Sequence, residues 1–232
     1  MSIETILMVG HGSDGRKDAI AFEKMVQLHQ TLSGVRTRAA FLSCEPKLKI
    51  VLRSAVGPFR VIPWFMSDGY MVNHVLRRDI PDAEFDQPIG VHPIMDRYVD
   101  AHIEDAIARG ASKNASVVIV GHGTRRNAQS GDSTWAQSHR LREIGRVAES
   151  AFLDMDPDAK TAMKKLPKGD VIIVPFFIFE GGHASKDVPL AFKFNLVDAR
   201  RAGHHVGAQR FFYGPTFLHH PILDEFIKEL AG

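Results

Sequence analysis

The chain has one cysteine, Cys44, among its 232 residues. No internal disulfide can staple it, which suits a reducing compartment. It has no long hydrophobic run either. Its longest apolar stretches are of strand length, far short of a membrane span. No basic start, apolar run and cleavage site combine near the N-terminus, so a secretory signal is not expected. Charge of one sign is also missing: 29 Lys and Arg against 27 Asp and Glu leave a net charge of +2. Nothing there points to nucleic acid or a membrane surface as a partner. These absences together lead us to expect a cytoplasmic protein. Against them stands one abundance, 12 histidines.

The chain also repeats itself. "TILMVGHGS" at 5–13 is matched by "SVVIVGHGT" at 116–124, each an apolar run ending in Gly-His-Gly and a hydroxyl residue. His11 and His122 are 111 positions apart, as are "AFLSCEPKLKIVL" at 40–52 and "AFLDMDPDAKTAM" at 151–163. "RVIPWFMSDG" at 60–69 pairs with "VIIVPFFIFEGG" at 171–182, offset by 112 at the proline, and "HPIMDRYVDA" at 92–101 echoes "HPILDEFIKE" at 220–229. Four matches in one order imply two copies of a unit of roughly 110 residues. We place the halves at 1–112 and 113–232, joined near "RGASKNAS".

Each copy alternates strand and helix. The first reads as strand Ile6–Val9, helix Arg16–Leu32, strand "RTRAAFLS", helix Pro46–Ala55, strand "FRVIPWFM", helix "MVNHVLRRDI", a fourth strand "IGVHPI" and helix Met95–Arg109. The second reads as Val117–Val120, a helix near Thr134–Glu149, a strand around Ala151–Met155, a helix from Asp158, strand Val171–Phe179, a helix from about Lys186 to Ala202, "VGAQRFFY" and a last helix from His220. Strands apolar on both faces and alternating with helices predict parallel sheets covered on both sides. The fold class expected is α/β, with two tandem flavodoxin-like halves facing a central cleft.

In such sheets the working loops lie beyond the carboxyl ends of the strands. His11, His122 and His183 all fall there, as do Ser43, Glu45, Asp154 and Asp156. Two imidazoles and a carboxylate suit a divalent first-row metal, and three protein ligands leave positions open for exchange or catalysis. Gly121, Gly123, Gly181 and Gly182 flank both second-half histidines and allow close approach of a flat ligand. Either histidine motif alone is a weak signal. Both on equivalent edges of one half, beside an acidic pair, form a coherent site. We read the remaining histidines as ordinary: His29, His102 and His139 as helix surface, His204 and His205 as solvated turn residues, His219 and His220 as capping or starting the last helix. Trp64, Phe65, Phe176 and Phe177 are read first as core.

The order Gly-His-Gly-[Ser/Thr], Phe-Leu-acid, an apolar strand with proline, then Gly-Gly-His-x-x-x-Asp-[Val/Ile]-Pro resembles the class II tetrapyrrole chelatases. These include the sirohydrochlorin cobalto- and ferrochelatases of cobalamin and siroheme synthesis. The resemblance covers nearly the whole chain. It implies ATP-independent insertion of Co²⁺ or Fe²⁺ into a metal-free macrocycle, with a tetrapyrrole and a divalent ion as substrates and no other cofactor. By the same resemblance His122 and His183 bind the incoming metal and one of them takes pyrrole protons, and Asp154 or its rival Asp156 holds the metal or relays a proton. Arg125, Arg126 and Lys186, beside the histidine loops, are candidates for pairing with macrocycle carboxylates, with Gly181 and Gly182 making room; an ordinary basic surface is the rival reading of the three cations.

The first half departs from the pattern. It keeps His11 and Glu45 as secondary candidates, but "SDGYMVNHVLRRDIP" has no Gly-Gly-His. Tyr70 or Met71 stands near that position, and His74 lies one turn along. We therefore expect the active site in the second half, with the first half as the opposite wall and Arg77 and Arg78 as carboxylate contacts. Two other functions compete: a metal or tetrapyrrole carrier without turnover, and a phosphohistidine hydrolase. The second is disfavoured because Val-Gly rather than Arg precedes each Gly-His-Gly histidine. The sequence leaves the metal, the exact macrocycle and the oligomeric state, homo-oligomer or not, open.

Overall fold

Strand β1 (Thr5–Gly10) is buried at all its positions, and its side chains divide between two cores. Ile6 and Met8 face one, Leu7 and Val9 the other, as the two-residue period of a strand requires. The same division recurs along the other central strands and sets the architecture. The computed structural model describes residues 3–12 and 15–232; Ser13, of the first Gly-His-Gly motif, lies outside them.

After β1 the first half continues through α1 (Arg16–Ser33), β2 (Arg36–Phe41), α2 (Leu48–Ser54) and β3 (Phe59–Trp64). A π-helical segment, Met71–Leu76, then runs into α3 (Arg77–Asp79), followed by β4 (Glu84–Phe85), a 3-10 turn Ile89–Val91 and α4 (Ile94–Ala108). The second half runs β5 (Ser116–Gly121), a 3-10 turn Ala128–Gly131, α5 (Asp132–Glu143), β6 (Ala148–Phe152), α6 (Ala159–Met163) and β7 (Gly169–Pro175). A second π-helical segment, His183–Asp187, leads into α7 (Val188–Phe192), then α8 (Leu196–Arg201), β8 (His204–Val206), β9 (Gln209–Tyr213), a 3-10 turn Phe217–His219 and α9 (Ile222–Ala231).

The first sheet has the order β2-β1-β3-β4 and is parallel. The second has the order β6-β5-β7-β9-β8, parallel except for the β8–β9 hairpin. The largest core lies between the sheets. It joins Phe22, Trp64 and Tyr98 of the first half to Ile119, Val174, Phe217 and Phe226 of the second. Each sheet also packs an outer core, around Leu48, Val51 and Leu76 in the first half and around Ala162, Val188 and Phe192 in the second. The repeated His-Pro-Ile is explained locally. The Nδ1 atoms of His92 and His220 accept the N–H of Ile94 at 3.1 Å and of Ile222 at 3.2 Å, opening α4 and α9 in the same way.

Several sequence expectations shift. "IGVHPI" is not a strand: its Ile89–Val91 form a 3-10 turn between Pro88 and Pro93, and the edge strand is Glu84–Phe85. The predicted helix to Glu149 stops at Glu143, where Ile144 and Gly145 close it, and β6 begins at Ala148. The ladder of β7 ends at Pro175, four residues before Phe179, as the chain leaves for the cleft. The helix expected over 186–202 breaks at Lys193, which adopts a left-handed φ of 61°, and restarts behind the Asn195 cap. His29 and His102 are buried, not on the surface, while His139 is exposed. His204 and His205 belong to β8, and His204 pairs with Asp198 at 3.3 Å.

Candidate active site

Both sheets begin with the order second-first-third. The strand order therefore reverses between β1 and β3, and again between β5 and β7. Ligands of open α/β sheets bind beyond such switch points. The loops leaving these four strand ends line one cavity of about 360 Å³, with His11, His122 and His183 in its wall. Trp64, Phe65, Met66, Phe177, Ile178 and Phe179 supply the apolar surface. Of the aromatics first read as core, only Phe176 is absent from this wall.

His122 and His183 meet edge to face, with ring centroids 4.5 Å apart and planes at 74°. Each ring is fixed through Nδ1. That of His122 lies 2.5 Å from the Gly123 carbonyl, and that of His183 lies 2.7 Å from a carboxylate oxygen of Asp187. Carbonyl and carboxylate oxygens accept, so both Nδ1 atoms donate and the Nε2 atoms are the ones left for a ligand. Gly123 is required here: its φ is +65°, and a Cβ would fall 2.6 Å from the sulfur of Met155. Asp187 was missed in the sequence. Its signal was the His-x-x-x-Asp spacing, which puts both side chains on one helix face.

Asp154 and Asp156 do not join the pair. Among the described residues no group of three or more His, Cys, Asp and Glu stands in position to hold a metal. The sheet order gives the reason. β6 and β7 flank β5 on opposite sides, about 10 Å apart at ordinary strand spacing. His122, leaving β5, leans toward the loop after β7. The acids follow β6, where the Asp154 N–H donates to the His122 carbonyl at 3.0 Å and both side chains are solvent-exposed.

The first-half copy is similar in backbone and different in chemistry. The Ser43 N–H donates to the His11 carbonyl at 2.9 Å, the counterpart of the Asp154 bond. Nδ1 of His11 lies 3.3 Å from Oγ of Ser43. Met71 opens the first π-helical segment as His183 opens the second. Val75 stands one turn on, where the second half has Asp187. Glu45 turns back to accept the Lys47 N–H at 3.1 Å. His74 stacks on Tyr70, centroids 5.1 Å apart. Met71, Val75, Lys47, Lys49, Arg53 and Arg78 share with His11 a cavity of about 590 Å³. Arg78 is paired with Asp79, and Arg77 lies over the Phe85 ring.

A third cavity, about 660 Å³, borders the histidine cavity through Phe65 and Met66 and includes Tyr70, Met71, Arg126 and Asn127. Arg126 thus faces the cleft. Arg125, Lys186 and Gly182 are exposed, and Gly181 lines the histidine cavity itself.

The loop carrying His183 is held from the other half. The Phe179 ring covers Gly10 and packs against Phe22 and Phe41, with centroids 5.8 and 6.2 Å away. The carboxylate of Glu180 pairs with Arg200. Tyr98 of α4 reaches the Pro175 carbonyl at 2.6 Å, where β7 ends.

The family whose model matches this chain is CbiX, over residues 5–106 and 116–231. The chain belongs to the CbiX family. A curated relative, the probable sirohydrochlorin cobaltochelatase of Halobacterium salinarum, is 24% identical, covering 81% of this chain and 76% of that protein. Solved structures agree on the fold. A CbiX described as the terminal enzyme of siroheme biosynthesis in denitrifying bacteria superposes with a TM-score of 0.76 at 21% identity, covering 97% of this chain and 96% of that one. SirB from Bacillus subtilis with Fe³⁺ gives 0.74 at 19%, covering 97% and 92%. DR2241 from Deinococcus radiodurans, a multi-domain protein with similarity to chelatases, gives 0.73 at 20%, covering 98% of this chain and 54% of that one. No helix of the described residues is long and apolar enough to cross a membrane.

Proposed function

We propose that this CbiX-family protein inserts Co²⁺ or Fe²⁺ into sirohydrochlorin without ATP. The observation that carries the reading is the His122–His183 pair, with both Nε2 atoms available at an apolar cavity. Imidazole suits first-row divalent ions, and a two-histidine site holds such an ion loosely enough to give it up. Insertion exchanges one M²⁺ for the two pyrrole N–H protons of the macrocycle. His122 and His183 present the ion at the cleft and, once it has left, are free to take protons. The aromatic walls match a flat ring, and Arg126 offers a bidentate partner for a peripheral carboxylate. Asp154 and Asp156 stay in the reading as solvent-side groups for proton removal.

Purified protein mixed with sirohydrochlorin and either ion tests this by the absorbance change on insertion. Acceleration over buffer, lost in His122→Ala and in His183→Ala, is the expected result. Full activity in the double variant would end the proposal. A carrier is the second reading, favoured by the loss of the histidine pair from the first half. It requires stoichiometric binding with no acceleration.

A further inference from the structure

We propose that Asp18, on the first helix of the N-terminal half, is a positioning residue for His183 in the C-terminal half. The inference rests on the chelatase reading for its consequence, but not for its geometry. Asp18 is only 3% exposed. One carboxylate oxygen accepts the Glu180 N–H at 3.1 Å and the other the Gly181 N–H at 3.2 Å. The first oxygen also takes the Nε2–H of His219 at 2.7 Å. An acid from α1 thus fixes two successive peptides of a loop more than 160 residues away.

Those two peptides lead directly to the metal-facing imidazole. The Gly181 carbonyl accepts the Ser185 hydroxyl at 2.6 Å, inside the π-helical segment that begins with His183. A line of hydrogen bonds therefore runs from Asp18 through Gly181 to Ser185 and sets where that segment starts. Phe179 on one side and the Glu180–Arg200 pair on the other prevent the loop from sliding. The tie is reciprocal. Ser133 on α5, the first helix of the second half, donates to the Met66 carbonyl in the first-half loop that lines the same cavity. Each half's first helix holds the other half's third-strand loop.

A buried carboxylate is a poor way to gain stability, since well-packed apolar groups usually do as well or better. What it does supply is direction, because three donors converging on it allow one loop arrangement. Asp18 does not line the histidine cavity, so the effect proposed for it passes through the loop that carries His183.

The test compares Asp18→Ala and Asp18→Asn with the unaltered protein, each alone and combined with His183→Ala. One readout is Co²⁺ affinity, followed by absorption with the metal alone. The other is the ¹⁵N-imidazole resonance of His183 in metal-free protein. Asp18→Ala should weaken Co²⁺ binding about 10-fold or more, as loss of a group that holds a metal ligand in place does, and shift the His183 resonances. Asp18→Asn, which keeps an acceptor for one N–H, should fall between and serves if the alanine variant does not fold. In the His183→Ala background the effect on Co²⁺ should disappear, as coupled residues require. Val51→Ala, in the outer core of the first half, controls for lost stability and should leave both readouts unchanged. Unmoved His183 resonances in both variants, or an equal loss of Co²⁺ affinity without His183, would overturn the proposal. Should the unaltered protein bind neither Co²⁺ nor Fe²⁺, the chelatase reading fails, and the His183 resonances alone decide the positioning role.

Discussion

Nδ1 of His183 and the carboxylate of Asp187 lie 2.7 Å apart, one turn from each other on a π-helical segment. Both side chains are about half exposed, so the pair adds little to stability. Its effect is on the ring: the carboxylate holds the proton on Nδ1 and directs Nε2 to the cavity. Asp187→Ala should therefore lower Co²⁺ affinity and insertion rate about 10- to 100-fold. Thermal unfolding should change little. A large drop in unfolding temperature with unaltered metal affinity would reverse the assignment.

His11 should matter to the macrocycle more than to the metal. It shares the histidine cavity, yet its helical partner is Met71 where the second half has His183. His11→Ala is expected to leave Co²⁺ affinity within about twofold while raising the KM for sirohydrochlorin, as loss of a uniform binding contact does. Loss of metal binding would mean that three imidazoles share the ion.

Histidines buried away from the site should make stability fall in mild acid. Burial pushes His102 well below the ordinary histidine range, and the neighbouring His220 pushes it further. Burial also lowers His220, against the opposing pull of Asp105, and lowers His29 and His92. Each folded pKa lies below the unfolded value near 6.5. The unfolded chain thus binds more protons between the two values, and stability, fully present above about pH 6.5, is lost as pH falls through that window. The loss is up to about 1.4 kcal/mol per pH unit for each proton taken up. Urea unfolding at pH 7.5 and 5.5 measures it, and His102→Leu should flatten the difference.

Gly90→Ala should damage the cleft wall from behind. A Cβ there would fall 2.0 Å from the Met66 carbonyl oxygen, and backbone cannot move aside as a side-chain end can. Overpacking of this kind costs about 1–3 kcal/mol. A lower unfolding temperature and weaker macrocycle binding are both expected. An unchanged crystal position of residues 65–67 in the variant would contradict the argument.

What the sequence made legible was what short-range pattern and repetition carry. The central strands, the switch-point histidines and the second-half location of the histidine pair all followed from local runs and a near-constant offset. Element ends were less legible, because Lys193 adopts a glycine-like φ without a glycine to announce it. The burial of His102 was hidden too: its space comes from Gly214, a hundred residues on, where a Cβ would fall 2.1 Å from the ring. Asp154 read as a ligand because motif order says nothing about which neighbouring strand a loop leans toward. Asp18 gave no signal at all, as one acid on an amphipathic helix looks like any other until the two halves are docked.

That docking constrains how such a chain can have arisen. Cut between its repeats, the C-terminal piece would leave Phe179 without Phe22 and Phe41, and would lose the acid that grips Glu180 and Gly181. An ancestor of single-repeat length would have needed a twin to supply the missing grip, and fusion of the two genes would have made that companionship permanent.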